Sequence, residues 1–317
     1  MADRPTEGNT GADVELINPR PVFHLSRLIA AIIVLFIVAA ILQSLTTNKK
    51  YQWNVVGRYL FHPQIVSGVG FTLLLTVIAM AIGIVLAVTM AIMRQSTNPI
   101  LRGVAWFYIW FFRGTPIYTQ LLFWGLVPTL YTTAKVGIPF GPTFAEWSTA
   151  DVFGPFVAAI LGLGLNEGAY LAEIVRSGLN AVDKGQSEAA TALGMKRGQI
   201  LRRIVIPQAM RVIIPPTGNE TISMLKTTSL VLAVPYTHEL TFAAQTIGNR
   251  TFAPIPLLIT AALWYLAITS VLMVGQYYIE RYFGRGFDTT GGSGRKRRGK
   301  GVAITKGAGT KFMDVTP

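Results

Sequence analysis

GQSEAATALGMKRGQILRRIVIP, residues 185–207, is a polar, basic and helix-prone insert in an otherwise apolar chain, and the segments on either side are each long enough to span a bilayer. Ser187 is placed to cap a short helix running through Glu188, Ala189, Ala190, Thr191, Ala192 and Leu193, with an acid in the first turn where the helix dipole favours it. Gly194 ends that helix, because glycine tolerates the left-handed position after a helix C-terminus. A second helical run starts near Arg197, with Ile200, Ile204 and Leu201 as its apolar stripe and Lys196, Arg202 and Arg203 in water. Pro207 marks the start of the next segment. Two short amphipathic helices joined by a glycine form a knob that fits a groove on a soluble partner. On physics alone, residues 184–207 read either as such a docking loop or as an ordinary connection between spans.

The composition around this insert is that of an integral membrane protein. Of the 317 residues, 51% are hydrophobic and 14% charged, and the mean hydropathy is +0.46, too apolar for an ordinary soluble domain. The net charge of +13 suggests nucleic acid at first sight, but the basic residues sit in loops and tails flanking apolar runs, which positive-inside topology explains better. There is no cysteine, so disulfides and thiolate metal sites are excluded, and His24, His62 and His238 are too scattered to propose a metal site.

The apolar runs fall at about residues 28–45, 66–93, 104–131, 156–179, 208–234 and 255–278. The expected fold is therefore all-α, a polytopic membrane protein of about six transmembrane helices. Residues 1–25 read as a disordered tail and 26–46 as a retained helix rather than a removed signal, since no small-residue cleavage pattern follows. Residues 132–155 and 234–254 are expected as outer loops. Residues 284–317 form a basic, Gly-rich tail, expected to be solvated and disordered, with binding to anionic lipid as the alternative. Within that tail Gly294 to Lys300 matches part of a P-loop, but Gly301 replaces the required hydroxyl residue and no strand precedes it, so a nucleotide site is rejected. Placing the N-terminus inside collects Arg94, Arg102, Arg176, Lys184, Lys196, Arg197, Arg202, Arg203, Arg211 and both tails on one face, and leaves Lys49, Lys50, Arg58, Lys135 and Arg250 opposite. Both termini and the docking loop are thus expected in the cytoplasm.

The order Glu188, Ala189, Ala190, then Gly194, Ile204 and Ile206-Pro207 resembles the EAA loop of binding-protein-dependent ABC importer permeases. Only Ile206 departs, standing where that family usually has Leu. Arg113 to Pro116, Gln120 to Leu122, Gly168 to Arg176, Pro207 to Ala209 and Leu225 to Leu230 are similar to the polar amino-acid branch of the family. The resemblance covers roughly residues 66–283. It implies a five-helix type I importer core over 65–283, with the helix at 26–46 as an addition in front of it. It also implies a bacterial cell-membrane location and an alternating-access permease for a small polar amino acid, without a cofactor of its own. The implied partners are two ABC ATPase subunits docked on Glu188, Ala189, Ala190, Gly194, Ile204 and Pro207, an extracytoplasmic solute-binding protein, and a second permease subunit, identical or paralogous. Nucleic acid is not among them.

Ionisable residues at membrane depth are costly unless paired or wet, which singles out Arg113, Glu167, Glu173, Arg176, Glu220 and Lys226. Helical spacing puts Asn166, Tyr170, Glu173 and Ser177 on one stripe of the fourth span, and Asn219, Ser223 and Lys226 on one stripe of the fifth. Glu173 either pairs with Arg176 three residues on or contacts substrate. Lys226 either neutralises Glu167, Glu173 or Glu220 or binds a substrate carboxylate. Glu167 lies further from the docking loop and is the better candidate for a ligand amino group. Arg113 is expected to brace a kink near Pro116 by holding carbonyls, and Gly164 and Gly168 to allow close helix packing. A passive channel would leave the docking pattern unexplained. An intramembrane enzyme would need clustered catalytic groups, and the chain has no H-E-x-x-H, no G-x-S-x-G and no cysteine nucleophile, so no catalytic residue is assigned.

Overall fold

Among the described residues, four helices are long and apolar enough to cross a membrane: α1 (Leu25–Thr47), α3 (Pro63–Arg94), α7 (Pro155–Asn180) and α12 (Pro254–Phe283). They belong to a computed structural model that describes residues 25–138, 140–234 and 236–284. The expectations made for the two tails, and for the P-loop-like run at 294–300, lie outside those residues. Helix α1 falls in a unit of its own and buries none of its 23 residues. The second unit starts at Asn48 and holds everything else described below.

In that unit α2 (Trp53–Tyr59) leads into α3, whose start is set by Pro63 at the first helical position and by His62, whose Nδ1 accepts from the Gln64 N–H at 3.3 Å. His62 is thus a helix cap. Helix α4 (Pro99–Gly114) starts the same way, with Asn98 Oδ1 accepting from the Ile100 N–H at 2.9 Å. The single span expected over 104–131 is in fact two helices, α4 and α5 (Ile117–Leu130), separated at Thr115 and Pro116. Proline forces the residue before it out of the helical region, and Thr115 is extended at φ −115°, ψ 143°.

The outer loop expected over 132–155 contains an antiparallel hairpin, β1 (Thr133–Gly137) with β2 (Thr143–Ser148), and a four-residue helix α6 (Thr149–Val152). Thr133 faces Ser148 and Lys135 faces Glu146, with a bulge between Val136 and Gly137. The helix α7 that follows carries the largest core, in which Leu163, Leu171 and Ala172 pack with Leu75, Ala79 and Ala87 of α3. The approach is close because Gly164 faces Ile82 and Gly168 faces Leu86 and the Tyr108 hydroxyl; a methyl at 168 would sit 2.6 Å from that oxygen.

The docking loop holds α8 (Lys184–Ala192) and α9 (Arg197–Ile200). Its cap is Asp183, whose Oδ1 accepts from the Gly185 N–H at 2.8 Å, so the helix begins four residues earlier than expected and Ser187 is not its cap. Gly194 has φ +80°, as expected. Its N–H donates to Thr191 O at 2.9 Å and that of Met195 to Ala190 O at 3.1 Å, the paired bonds of a Schellman motif.

Pro207 does not open a separate segment. Helix α9 runs through a widened turn of π geometry, Leu201–Val205, directly into α10 (Ile206–Thr227), and every junction residue is right-handed helical. The wide turn follows from Pro207, which lacks an N–H and whose ring crowds the carbonyl four residues back. The end of the fifth span expected over 208–234 is a 3₁₀ stretch (Thr228–Ala233), and α11 (Leu240–Arg250) follows where only an outer loop was expected. Helix α11 packs Leu240, Ala244 and Ile247 against Ile65 and Val69 of α3 and Leu257 and Ala261 of α12.

At the start of α11 lies Glu239, fully buried. Its Oε2 accepts from the N–H groups of Thr241 (2.6 Å) and Phe242 (3.4 Å), and its Oε1 accepts from Thr72 Oγ1 on α3 (3.0 Å) and from the Tyr265 hydroxyl on α12. One carboxylate thereby caps a helix and ties three together.

Candidate functional site

The break between α4 and α5 shapes the first wall of the site. Pro116 has no N–H to give the carbonyl of Phe112, four residues back. Two side-chain amides take its place: Gln120 Nε2 donates to Phe112 O at 2.9 Å, and Asn166 Nδ2 donates to it at 3.0 Å from α7. Gln120 also reaches Thr115 O at 3.0 Å and accepts from Asn166 at 3.2 Å. The bracing expected of Arg113 is therefore done by Gln120 and Asn166, both buried. Arg113 is left free to stand over the Tyr170 ring, its guanidinium carbon 5.3 Å from the ring centre.

Between this break, α7 and α10 lies a cavity of about 570 Å³ lined by Arg113, Thr115, Asn166, Glu167, Tyr170, Glu220 and Ser223 among others. A second cavity of about 340 Å³ shares Arg113, Tyr170 and Glu220 and adds Glu173, Ser177 and Pro216. The polar stripe read on the fourth span does face a cleft. Glu167 is 3% exposed and its Oε1 has no hydrogen-bond partner among the described residues. Burying a carboxylate oxygen unpaired is expensive.

The other candidates divide. Glu173 accepts from Arg176 Nη2 at 2.7 Å and from its Nε at 2.9 Å, the local pair that was one of its two readings, while still lining the smaller cavity. Of the stripe read on α10 as Asn219, Ser223 and Lys226, Ser223 lines the cleft, while the neighbours Glu220 and Thr227 line it in place of Asn219 and Lys226. Pro216, Glu220, Ser223 and Thr227 line the cavities, and Asn219 and Lys226 are exposed outside the linings. Lys226 forms no ion pair with Glu167, Glu173 or Glu220, because the described side-chain ion pairs are Lys135 with Glu146 and Arg176 with Glu173.

On the docking loop Glu188 and Ala189 are exposed and Ala190 is buried, so Ala190 holds the knob together from within. Ile204 is half-buried and Pro207 exposed. Leu193, 83% exposed beside Gly194, was read only as helix body; four residues from Ala189, it adds an apolar contact to the outer face of the knob.

A family model described as binding-protein-dependent transport system inner membrane component matches residues 83–285, from the second half of α3 past the end of α12. The chain belongs to this family. It is the permease of an ABC importer, a membrane-embedded transport subunit. Among its relatives this permease is 48% identical over 284 residues to the arginine transport system permease protein ArgU of Corynebacterium glutamicum, covering 89% of this chain and 88% of that one. It is 35% identical over 223 residues to the probable amino-acid ABC transporter permease protein YckA of Bacillus subtilis, covering 70% and 89%. Its fold is similar to a solved structure titled as an amino acid ABC transporter with histidines, at TM-score 0.58 and 35% identity over 70% of this chain and 95% of that one. The all-α permease fold is thereby established, with the hairpin of β1 and β2 as a small addition.

Proposed function

We propose that this permease carries a small amino acid, cationic by preference, through the cleft between the α4–α5 break, α7 and α10. The observation that carries this is the buried, unpartnered Glu167 carboxylate facing the same cavity as Glu220 and Arg113. Arg113 takes the α-carboxylate of the ligand by a charge-assisted pair, with Tyr170 behind it. Glu167 takes the α-amino group, and Glu220 is left to balance a positive side chain. Two acids against one arginine suit a ligand of net charge +1. The relative that transports arginine supports the same reading.

The drive comes from a pair of separate ATPase subunits, which dock on the knob through Glu188, Ala189, Leu193 and Gly194, with Ala190, Ile204 and Pro207 shaping it. An extracytoplasmic solute-binding protein delivers the ligand, and a second permease subunit, identical or paralogous, closes the path. Both termini and residues 184–207 lie in the cytoplasm, residues 65–283 form the importer core, and α1 is an addition to it. The mechanism is alternating access, with outward opening when ATP closes the ATPase pair.

The test is uptake into vesicles reconstituted with the permease, its ATPase and its binding protein. Glu167→Gln keeps the shape of the side chain and removes the charge. Uptake of arginine is expected to fall by about tenfold or more, the scale of one charged hydrogen bond, with ATPase docking unchanged. Unchanged arginine uptake in that variant would overturn the site.

A further inference from the structure

Another cavity, also of about 570 Å³, opens between α3, α7, α10 and α12, away from the cleft. It takes Met210, Ile214 and Thr217 from α10, whereas the cleft takes Pro216, Glu220 and Ser223, roughly a third of a turn round the same helix at about 3.6 residues per turn. Its wall is hydrocarbon apart from Thr217 and Thr221. Those hydroxyls donate to Ile213 O (2.8 Å) and Thr217 O (3.0 Å) within α10, so neither asks for a ligand. A groove without free polar partners does not hold ordered water. Along α3 it runs from Ile84 to Ile92, about 12 Å at the helical rise, close to the roughly 15 Å hydrocarbon depth of one leaflet.

Basic residues stand beside one end of this groove. Ile206 lines it, and Arg202 and Arg203, both exposed, lie about one helical turn earlier on the same continuous helix, the spacing at which side chains are neighbours. Neither arginine enters an ion pair among the described residues. On the proposed topology this end faces the cytoplasm.

We propose that the groove is a binding site for one anionic phospholipid of the inner leaflet. An acyl chain lies along α3 and α10, and the phosphate is held by Arg202 and Arg203. The length of the groove fits the chain and the charge beside its end selects the headgroup. The site lies against a neighbouring face of α10, so its occupant braces the helix that also lines the cleft.

The test is native mass spectrometry of the full chain in mild detergent, titrated with dioleoyl phosphatidylglycerol or dioleoyl phosphatidylcholine. One phosphatidylglycerol per chain is expected, preferred by about tenfold or more, the scale of a few near-surface cations. The double variant R202Q and R203Q should lose the preference yet keep weak binding of both lipids. Val88→Trp fills the groove from a position already 46% exposed, and should lose both lipids while the unfolding temperature holds. Equal affinity for the two lipids, or retention of both by Val88→Trp, would overturn the proposal. Loss of dimer rather than of lipid in that variant would also overturn it, and would make the groove a surface between copies.

Discussion

Asn166 on α7 donates to the carbonyl of Phe112 on α4 at 3.0 Å, in place of the N–H that Pro116 cannot supply. Gln120 donates to the same oxygen, so the broken span is held open by two amides rather than left with an orphaned acceptor. Asn166→Leu and Gln120→Leu should each destabilise the fold in detergent by about 1 kcal/mol or more, read as a lower unfolding temperature. The double variant should cost less than or more than the sum of the two, because they share an acceptor and bond each other. Strict additivity would mean that the two amides act independently.

Gly194 at φ +80° has nothing within 4 Å of where a Cβ would stand, so a side chain there meets backbone strain and no clash. Gly194→Asn should be tolerated. Gly194→Val should cost roughly 1–2 kcal/mol within the knob and reduce uptake per ATP hydrolysed, with membrane insertion intact. Normal coupled uptake by the Val variant would refute a coupling role for this turn. Leu193→Ser, on the same surface, should leave stability within about 0.5 kcal/mol and reduce co-purification of the ATPase.

Glu239 is the only acid among the described residues that joins α3, α11 and α12, through Thr72 and Tyr265. Glu239→Ala would remove a helix cap and take the shared carboxylate acceptor from Thr72 and Tyr265, at a cost above about 2 kcal/mol. Tyr265→Phe should cost less, since the carboxylate keeps its other donors. Thermal unfolding of the two variants should rank them in that order; equal midpoints would show that the cap contributes little.

Glu220 lines the cleft, and Lys226, two turns along the same helix, does not. Glu220→Gln should reduce arginine uptake by about tenfold or more. Lys226→Ala and Asn219→Ala should leave it within a factor of about two, as surface changes usually do. A larger loss in Lys226→Ala than in Glu220→Gln would return the lysine to the path.

Long apolar helices were legible in the residues alone. The run expected at 66–93 is the heart of Pro63–Arg94, and that at 156–179 is nearly the whole of Pro155–Asn180. Hydropathy is summed over many positions and survives local irregularity. The break at Pro116 was missed because α4 and α5 are both apolar, so one window reads across them. The signal that would have found it is the proline itself with Gln120 one turn later. Helix α11 was missed because its 11 residues mix apolar with polar, and the hairpin because its strands are short and exposed. On the site, the α7 stripe was read correctly because its polar residues keep helical spacing. The α10 stripe failed because Asn219 and Glu220 are adjacent and either starts a plausible polar face; only packing decides which one is buried.

From Arg197 to Thr227 the chain is helical without interruption, the wide turn at Leu201–Val205 included. The segment therefore works as a lever arm. Push on the knob, and the displacement is carried about 21 Å from Ile206 to Glu220 along one rod, with no slack loop to absorb it. On the proposed mechanism power stroke and cargo share a single shaft, and Pro215 and Pro216, just short of Glu220, are where that shaft can bend.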